Sequence, residues 1–353
     1  MTDKAAIMLL AMTLALPELF VLLRTLSGHT HHTNRLSESY SNNAGIMNYI
    51  DPKSASVGCL VGLAVGDALG APVEFCRRDT FEPVVGMRAG GQFNLPAGAW
   101  TDDTAMALCL ADSLLADSSL VCSDLLDRFI RWAEKGENSS TGVAVGIGQN
   151  TLRTLGNYRR TGAVKATRFG AKADGNGAIM RLAPVPILYW QDPLRAQQVA
   201  VEQSQATHCS SLSDEACAYL ALVLTRLIAG QDWNDALAVD LAAGCSPEMQ
   251  QIVGRAWEHK DRHEIQTTGY VIHTLEAALW SVAITSSFEE AVLLAVNLGD
   301  DADTVGAVTG QLAGALYGLG ALPAAWLTGL RAGEAINARA TALFSKSRKT
   351  FQI

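Results

Sequence analysis

The chain has 353 residues, 49% of them hydrophobic and 18% charged, which suits one large or two small folded domains and excludes a disordered composition. A formal net charge of −8 excludes a protein that grips nucleic acid through a broad basic field, so any phosphate-bearing ligand must be held by a local site. The seven cysteines are odd in number, scattered and without a CxxC pair, as expected of thiols in a reducing, cytoplasmic setting.

Residues 1–49 stand apart from the rest. Met1 to Leu26 is strongly apolar, yet Asp3 offsets Lys4 and no Ala-x-Ala site follows, so the stretch does not read as a signal peptide. Pro17, Glu18 and Arg24 oppose a membrane span. The expectation is a helical extension that docks on its own domain or on a partner, with Leu16, Leu19, Phe20 and Leu23 on one face. Ser27 to Tyr49 is polar and aperiodic, a linker or an extended arm.

Residues 50–353 form the second unit, rich in Ala and Leu. Their apolar spacing predicts helices over Ser54–Leu69, Asp103–Leu115, Ser123–Glu134, Ile179–Tyr189, Leu194–Gln205, Ser213–Ala229, Trp233–Ala243, Tyr270–Ile284, Phe288–Val296 and Ala302–Leu319. The fold class is therefore all-α. Val305 to Leu330 is nearly uncharged, with glycines at 306, 310, 314 and 318, a spacing also found in membrane helix pairs. Asp300, Asp301 and Asp303 just before it, and Pro323 within it, favour a central core helix whose glycines permit close backbone packing.

Two acidic clusters carry the chemistry. Thr101-Asp102-Asp103-Thr104 and Asp300-Asp301-Ala302-Asp303-Thr304 each lead into a buried helix. Taken singly, each reads as an N-cap with acidic residues at the positive end of the helix dipole. Taken together, so many carboxylates at the mouths of apolar helices would raise one another's pKa unless cations neutralised them. Their ligands are all oxygen, which suits Mg²⁺ or Mn²⁺ rather than zinc, and two ions a few ångströms apart fit two such motifs. An EF-hand is excluded, because counting from Asp301 places Leu312 where a bidentate Glu is required. Three elements join the clusters: a helix ending in a glycine turn that presents Glu74, the small-residue turn Gly175-Asn176-Gly177, and Thr207-His208. The turn is suited to cradling phosphate with backbone N–H groups.

In that order, GDALGAPVE, WTDDT, GNGAIMR, TH and NLGDDADTVGAVTG resemble the ADP-ribosylglycohydrolase family across roughly Val57 to Gly318. The resemblance implies a compact multi-helix domain with a binuclear Mg²⁺ site, Mn²⁺ being a possible substitute. By motif position it implies Thr101, Asp102, Asp103, Asp301, Asp303 and Thr304 as metal ligands. It places Glu74 beside the metals, Gly175, Asn176 and Gly177 near a diphosphate, and His208 near adenosine. Asp103 and Glu74 are the candidate catalytic bases, and the residues alone do not choose between them. The implied activity is removal of ADP-ribose from a modified protein side chain, with arginine as the expected linkage. One departure is Gly146, where the resemblance leads to an expected Asp; restoring that carboxylate is expected to help catalysis.

The family also includes immunity proteins that reverse the work of ADP-ribosylating toxins. The alternative function is therefore a binding protein that neutralises a cognate ADP-ribosyltransferase through residues 1–49, and the two functions can coexist. An all-α diphosphate lyase ranks last, because Thr101-Asp102-Asp103-Thr104 lacks an acidic residue at Met106.

Overall fold

The computed structural model describes residues 50–168, 173–239 and 244–350, without the side chains of 348–350. The apolar helix and linker expected over residues 1–49 lie outside the described residues. Among the described residues the secondary structure is helical, with two isolated bridges, Gly90–Leu95 and Gly175–Tyr270, in place of strands.

Two buried helices form the axis. Helix α1 (Pro52–Gly70) starts with a proline in its first turn, and Asp51 caps it by accepting from the Ser54 N–H at 3.3 Å. Every residue of α1 from Ala55 onward is buried. The other axial helix, α12 (Ala302–Tyr317), is buried from Ala302 to Ala315 and lies against α1 along most of its length. Their contact is made by glycines. A Cβ on Gly58, Gly62 or Gly66 would lie 2.3, 2.3 or 2.0 Å from the carbonyl oxygen of Gly314, Gly310 or Gly306, so the backbones touch. Gly70 continues the ladder, its place for a Cβ lying 2.4 Å from the Ala302 carbonyl oxygen. The expected glycine turn is therefore a helical packing position, and a short 3-10 turn (Ala71–Val73) carries the chain on to Glu74. Because the descending glycine numbers on one helix meet ascending ones on the other, the pair is antiparallel. The end of α1 and the start of α12 thus meet at one pole.

Between them in chain order come α2 (Asp102–Ala116), α3 (Cys122–Lys135), α4 (Gln149–Thr161), α5 (Pro184–Tyr189), α6 (Pro193–Gln205) and α7 (Ser211–Ile228). They are followed by α8 (Trp233–Leu237), α9 (Pro247–Val253), α10 (Val271–Ala283) and α11 (Phe288–Val296). After α12, α13 (Ala324–Gly329) and α14 (Gly333–Thr350) close the domain. Helices α10 and α11 pack on α12, α14 packs on α1, and α6 pairs with α7.

All ten expected helices occur, most within two residues of their expected ends. Two differ by more. The helix expected from Ile179 starts at Pro184, because proline fits a first helical turn and breaks an interior. The helix expected to Ala243 stops at Leu237, and residues 240–243 lie outside the described residues. Helix α12 ends two residues early, where Gly318 adopts φ +74°. Helices α4, α9, α13 and α14 were not expected. In α14, Ile336, Ala340, Leu343 and Phe344 form a buried stripe diluted by Asn, Arg, Thr and Ser.

Of the glycine-striped stretch tested above for a membrane span, the part up to Ala315 is buried in the core of the domain. Pro52–Val73 is also long and apolar enough to cross a membrane, with mean hydropathy 1.6, but 94% of its apolar window is buried inside the domain. The glycine contact generates a paired test. Gly310→Ala places a Cβ 2.0 Å from the Gly62 carbonyl oxygen and is expected to destabilise the protein by ~3 kcal/mol or more. Gly156→Ala, on the exposed side of α4 with open space around it, is expected to be neutral or stabilising by up to ~1 kcal/mol. Urea unfolding of both variants measures the contrast; equal effects would refute backbone contact as the cause.

Candidate active site

The two acidic motifs meet at the pole where α1 ends and α2 and α12 begin. The organiser there is a residue not singled out from the sequence, Asp67, fully buried in the last turn of α1. Its Oδ1 accepts from the Thr101 N–H and Oγ1–H, each at 2.9 Å, and its Oδ2 accepts from the Thr104 N–H at 3.0 Å and Oγ1–H at 2.6 Å. Thr101 occupies the N-cap position of α2, but its side chain makes no cap bond. The Asp67 carboxylate does so from another helix. Four accepted hydrogen bonds run to the two Asp67 oxygens, which hold the Thr101–Thr104 motif in place. The single Thr101 hydroxyl hydrogen has its shortest acceptor in Asp67 Oδ1, with Asp103 Oδ2 and Asp303 Oδ2 farther off at 3.3 Å.

Carboxylate oxygens gather in two groups of three that share a member, Asp67–Asp103–Asp303 and Glu74–Asp301–Asp303, with each group's oxygens within 4.8 Å of one another. Such a set fits divalent cations. Asp103 Oδ1 and Glu74 Oε2 are buried without a hydrogen-bond partner, a costly state for carboxylate oxygens unless a cation or a proton meets them. The donors are hard oxygens, and Asp303 stands between the two groups as a shared ligand would. Burial first and the neighbouring carboxylates second push Asp102, Asp103 and Asp303 well above the usual carboxylate range. Burial and the Asp301 charge push Glu74 up to about 8. Asp301 is raised chiefly by burial and lowered in part by the Asn176 hydrogen bond.

Glu74 and Asp301 are brought together by a backbone clasp. Phe75 N–H donates to the Asp300 carbonyl and Asp300 N–H donates to the Cys76 carbonyl, both at 2.7 Å. Phe75 and Asp300 hold the left-handed conformation at φ 64° and 55°, unusual for residues other than glycine. The Arg78 guanidinium secures the clasp by donating to the carbonyls of Leu298 at 2.9 Å and Ile265 at 2.5 Å, and to that of Arg262.

A cavity of about 850 Å³ opens over the carboxylates. Glu74, Asp102, Asp301, Asp303 and Thr304 line one part of its wall, and Gly175, Asn176, Gly177 and His208 also face it. Asp103 and Thr101 sit behind this wall. Sequence-predicted metal and ligand residues therefore share one site. Three placements refine the reading. Asp102 belongs to neither three-oxygen group. Asn176 donates its side-chain amide to Asp301 Oδ2 at 2.7 Å and to Thr274 Oγ1 at 2.9 Å, and its backbone N–H to Gly269 O at 3.2 Å. It therefore steadies Asp301, and that backbone N–H is unavailable to a phosphate. Gly146 has φ +81°, and a Cβ there would lie 2.2 Å from Asp102 Oδ1. The expected benefit of an aspartate at 146 is thus opposed by the geometry, which accepts only glycine without moving Asp102. Phe75, Thr268 and Tyr270 also line the cavity, and no motif had marked them.

The fold and site define an all-α domain whose helix mouths assemble a buried, oxygen-only carboxylate centre beneath a cavity of about 850 Å³. The ADP-ribosylglycohydrolase family model matches residues 49–352, and the chain belongs to that family and is an enzyme of its type. It is 41% identical over 304 residues to the ADP-ribosylarginine hydrolase Tri1 of Serratia proteamaculans (strain 568), covering 83% of this chain and 81% of the relative. It is 33% identical over 283 residues to the ADP-ribosyl-[dinitrogen reductase] glycohydrolase of Rhodospirillum rubrum, covering 78% and 90%. A solved structure described as an ADP-ribosylglycohydrolase-related protein complex matches with a TM-score of 0.75 at 40% identity, over 84% of this chain and 99% of that one.

The raised carboxyls give a signed pH dependence. A carboxyl such as Glu74, at an ordinary 4.5 unfolded and about 8 folded, binds more protons in the native state between those values. Its contribution to stability is complete below pH 4.5 and is lost as pH rises through about 8. Metal-free protein is therefore expected to melt at progressively lower temperature from pH 5 toward pH 8, and millimolar Mg²⁺ or Mn²⁺ to restore the loss most strongly at pH 8. A melting temperature that rises over this interval without metal, or ignores metal at pH 8, would contradict the assignment.

Proposed function

We propose that the protein is a Mg²⁺-dependent hydrolase, with Mn²⁺ as a substitute, that releases ADP-ribose from modified protein side chains, with arginine as the linkage. The observation that carries this reading is the pair of buried carboxylate groups sharing Asp303 under a cavity lined by the Gly175–Gly177 turn and His208. Two relatives at 41% and 39% identity named as ADP-ribosylarginine hydrolases support the arginine linkage.

Thr101, Asp102, Asp103, Asp301, Asp303 and Thr304 would hold two ions, which orient ribose hydroxyls and make water nucleophilic at neutral pH. Thr101 and Asp103 are held from behind, by Asp67 through Thr101 and by the start of α2 itself. Asn176 fixes Asp301 from the side. Glu74 lines the cavity whereas Asp103 does not, so Glu74 is the better placed general base, its carboxylate, ionised once cations neutralise the centre, taking the proton of the attacking water. The bond between the anomeric carbon and the guanidino nitrogen would break through an oxocarbenium-like state, its electron pair leaving with the guanidino nitrogen while the oxygen of the attacking water bonds to the anomeric carbon. The Gly175–Gly177 turn and His208 hold the phosphate and adenosine portions.

Asp103→Ala or Asp301→Ala is expected to lower release of ADP-ribose from an arginine-modified protein by at least about a hundredfold while the helical circular dichroism is unchanged. Excess EDTA should do the same to the wild type, reversed by Mg²⁺ or Mn²⁺. Full activity in either variant or in chelator would refute the metal centre; activity only on other linkages would refute arginine.

A second reading, compatible with the first, is favoured because the family match begins at residue 49 and leaves the apolar face of Leu16, Leu19, Phe20 and Leu23 outside it. In that reading residues 1–49 bind a cognate ADP-ribosyltransferase. Asp301→Ala in the full chain should then still bind and inhibit the transferase, whereas a chain starting at Asp51 should hydrolyse normally and bind it at least about tenfold less tightly. Equal affinity of the shortened chain would end this reading.

A further inference from the structure

Behind His208 lies a buried cation with no carboxylate partner. Arg181 is fully buried, and no ion pair among the described residues includes it. Its guanidinium carbon stands 4.8 Å from the centre of the Phe129 ring. Its Nε–H donates to Gln203 Oε1 at 2.9 Å, and Nη2 donates to the Gln203 carbonyl at 2.9 Å and to Thr207 Oγ1 at 2.7 Å. Gln203 is itself oriented, its Nε2 donating to the carbonyls of Ala178 at 3.0 Å and Ala200 at 3.2 Å. Thr207 Oγ1 lies 2.9 Å from His208 Nδ1.

The directions of these bonds follow from what each group can give. A guanidinium only donates, so the Thr207 oxygen is an acceptor toward Arg181. The Thr207 oxygen keeps a second lone pair, but Nδ1 is the one acceptor within reach of its single hydroxyl hydrogen among the described residues, so that hydrogen goes to Nδ1, which accepts. A neutral imidazole that accepts at Nδ1 carries its hydrogen at Nε2. Nε2 has no hydrogen-bond partner among the described residues, and His208 lines the cavity. Positions for a Cβ on Gly175 and Gly177 lie 3.4 and 3.3 Å from Nε2, so the two glycines leave room beside that nitrogen.

We infer that Arg181 and Thr207 are positioning residues that lock His208 as the Nε2–H tautomer, which offers a hydrogen-bond donor to an oxygen of bound ADP-ribose. This rests on the ADP-ribose reading of the cavity. A buried cation is well suited to the task, because it cannot surrender its proton and it disfavours a second positive charge nearby. Burial, then Arg181, lowers the His208 pKa to about 3, so the ring stays neutral across the physiological range. A threonine between the two transmits direction without transferring a proton.

The test uses the full chain labelled with nitrogen-15 histidine, with His208 assigned by comparison with His208→Gln. Two-bond proton–nitrogen correlation spectra should show His208 as the neutral Nε2–H tautomer between pH 5 and 8. Thr207→Val, which removes the hydroxyl at nearly constant volume, should abolish that signature and weaken ADP-ribose binding at least about tenfold by calorimetry. Thr207→Ser should restore both. A wild-type His208 in the Nδ1–H or imidazolium form overturns the relay with no variant needed. Thr207→Val that folds but keeps the tautomer and the affinity also overturns it. Wild type that shows the tautomer yet does not bind ADP-ribose upholds the relay and overturns the hydrolase reading instead.

Discussion

The backbone contact between α1 and α12 is the constraint on which the rest of this structure depends. Three glycines of one helix face three of the other at distances that leave no room for a Cβ, so the two helices approach more closely than any pair bearing side chains can. Because the pair is antiparallel, close approach brings the carboxyl end of α1 to the amino end of α12. Asp67 and Glu74 then meet Asp301 and Asp303 with no long loop between them. The carboxylate pole follows from helix packing completed by the clasp between Phe75 and Asp300, which gives it the rigidity a set of mutually repelling carboxylates needs.

That repulsion is the second organising force. Burial alone would protonate these groups, and crowding adds to the effect. The chain answers with supporting contacts from residues outside the two acidic motifs. Asp67 orients Thr101 and Thr104, Asn176 steadies Asp301, and Arg78 ties the Glu74 strand of chain to the segment before α12. The same logic recurs at the other side of the cavity, where Arg181 and Thr207 set the imidazole.

Much of this was legible in the sequence. Long apolar runs revealed the buried helices, and the two acidic motifs, each readable alone as an N-cap, pointed as a pair to the cluster of carboxylates at one pole. Half of the glycine ladder, at 306, 310 and 314, was visible as a periodic stripe. Its partner at 58, 62, 66 and 70 was masked because the same glycines looked like a motif leading to Glu74. Asp67 was overlooked for a similar reason, although a lone carboxylate in an otherwise apolar helix is itself a signal. Helices α4 and α14 were missed since their apolar faces are narrow and their other faces polar. The room beside Gly146 was not legible at all, for it depends on where Asp102 Oδ1 points after folding.

The glycine ladder also bears on how such a chain can change length over time. Inserting one residue into α1 turns everything beyond it by about 100° on the helix, replacing the bare face by side chains against the opposing backbone. A single-residue insertion or deletion in α1 or α12 is therefore expected to cost far more than an exchange at a position off the glycine face. Segments such as 79–99 and 136–148, which join helices without entering the axis, can change length without turning that face. The spacing from Gly58 to Glu74 and from Asp301 to Gly314 thus acts as a ruler that keeps bare backbone opposite bare backbone.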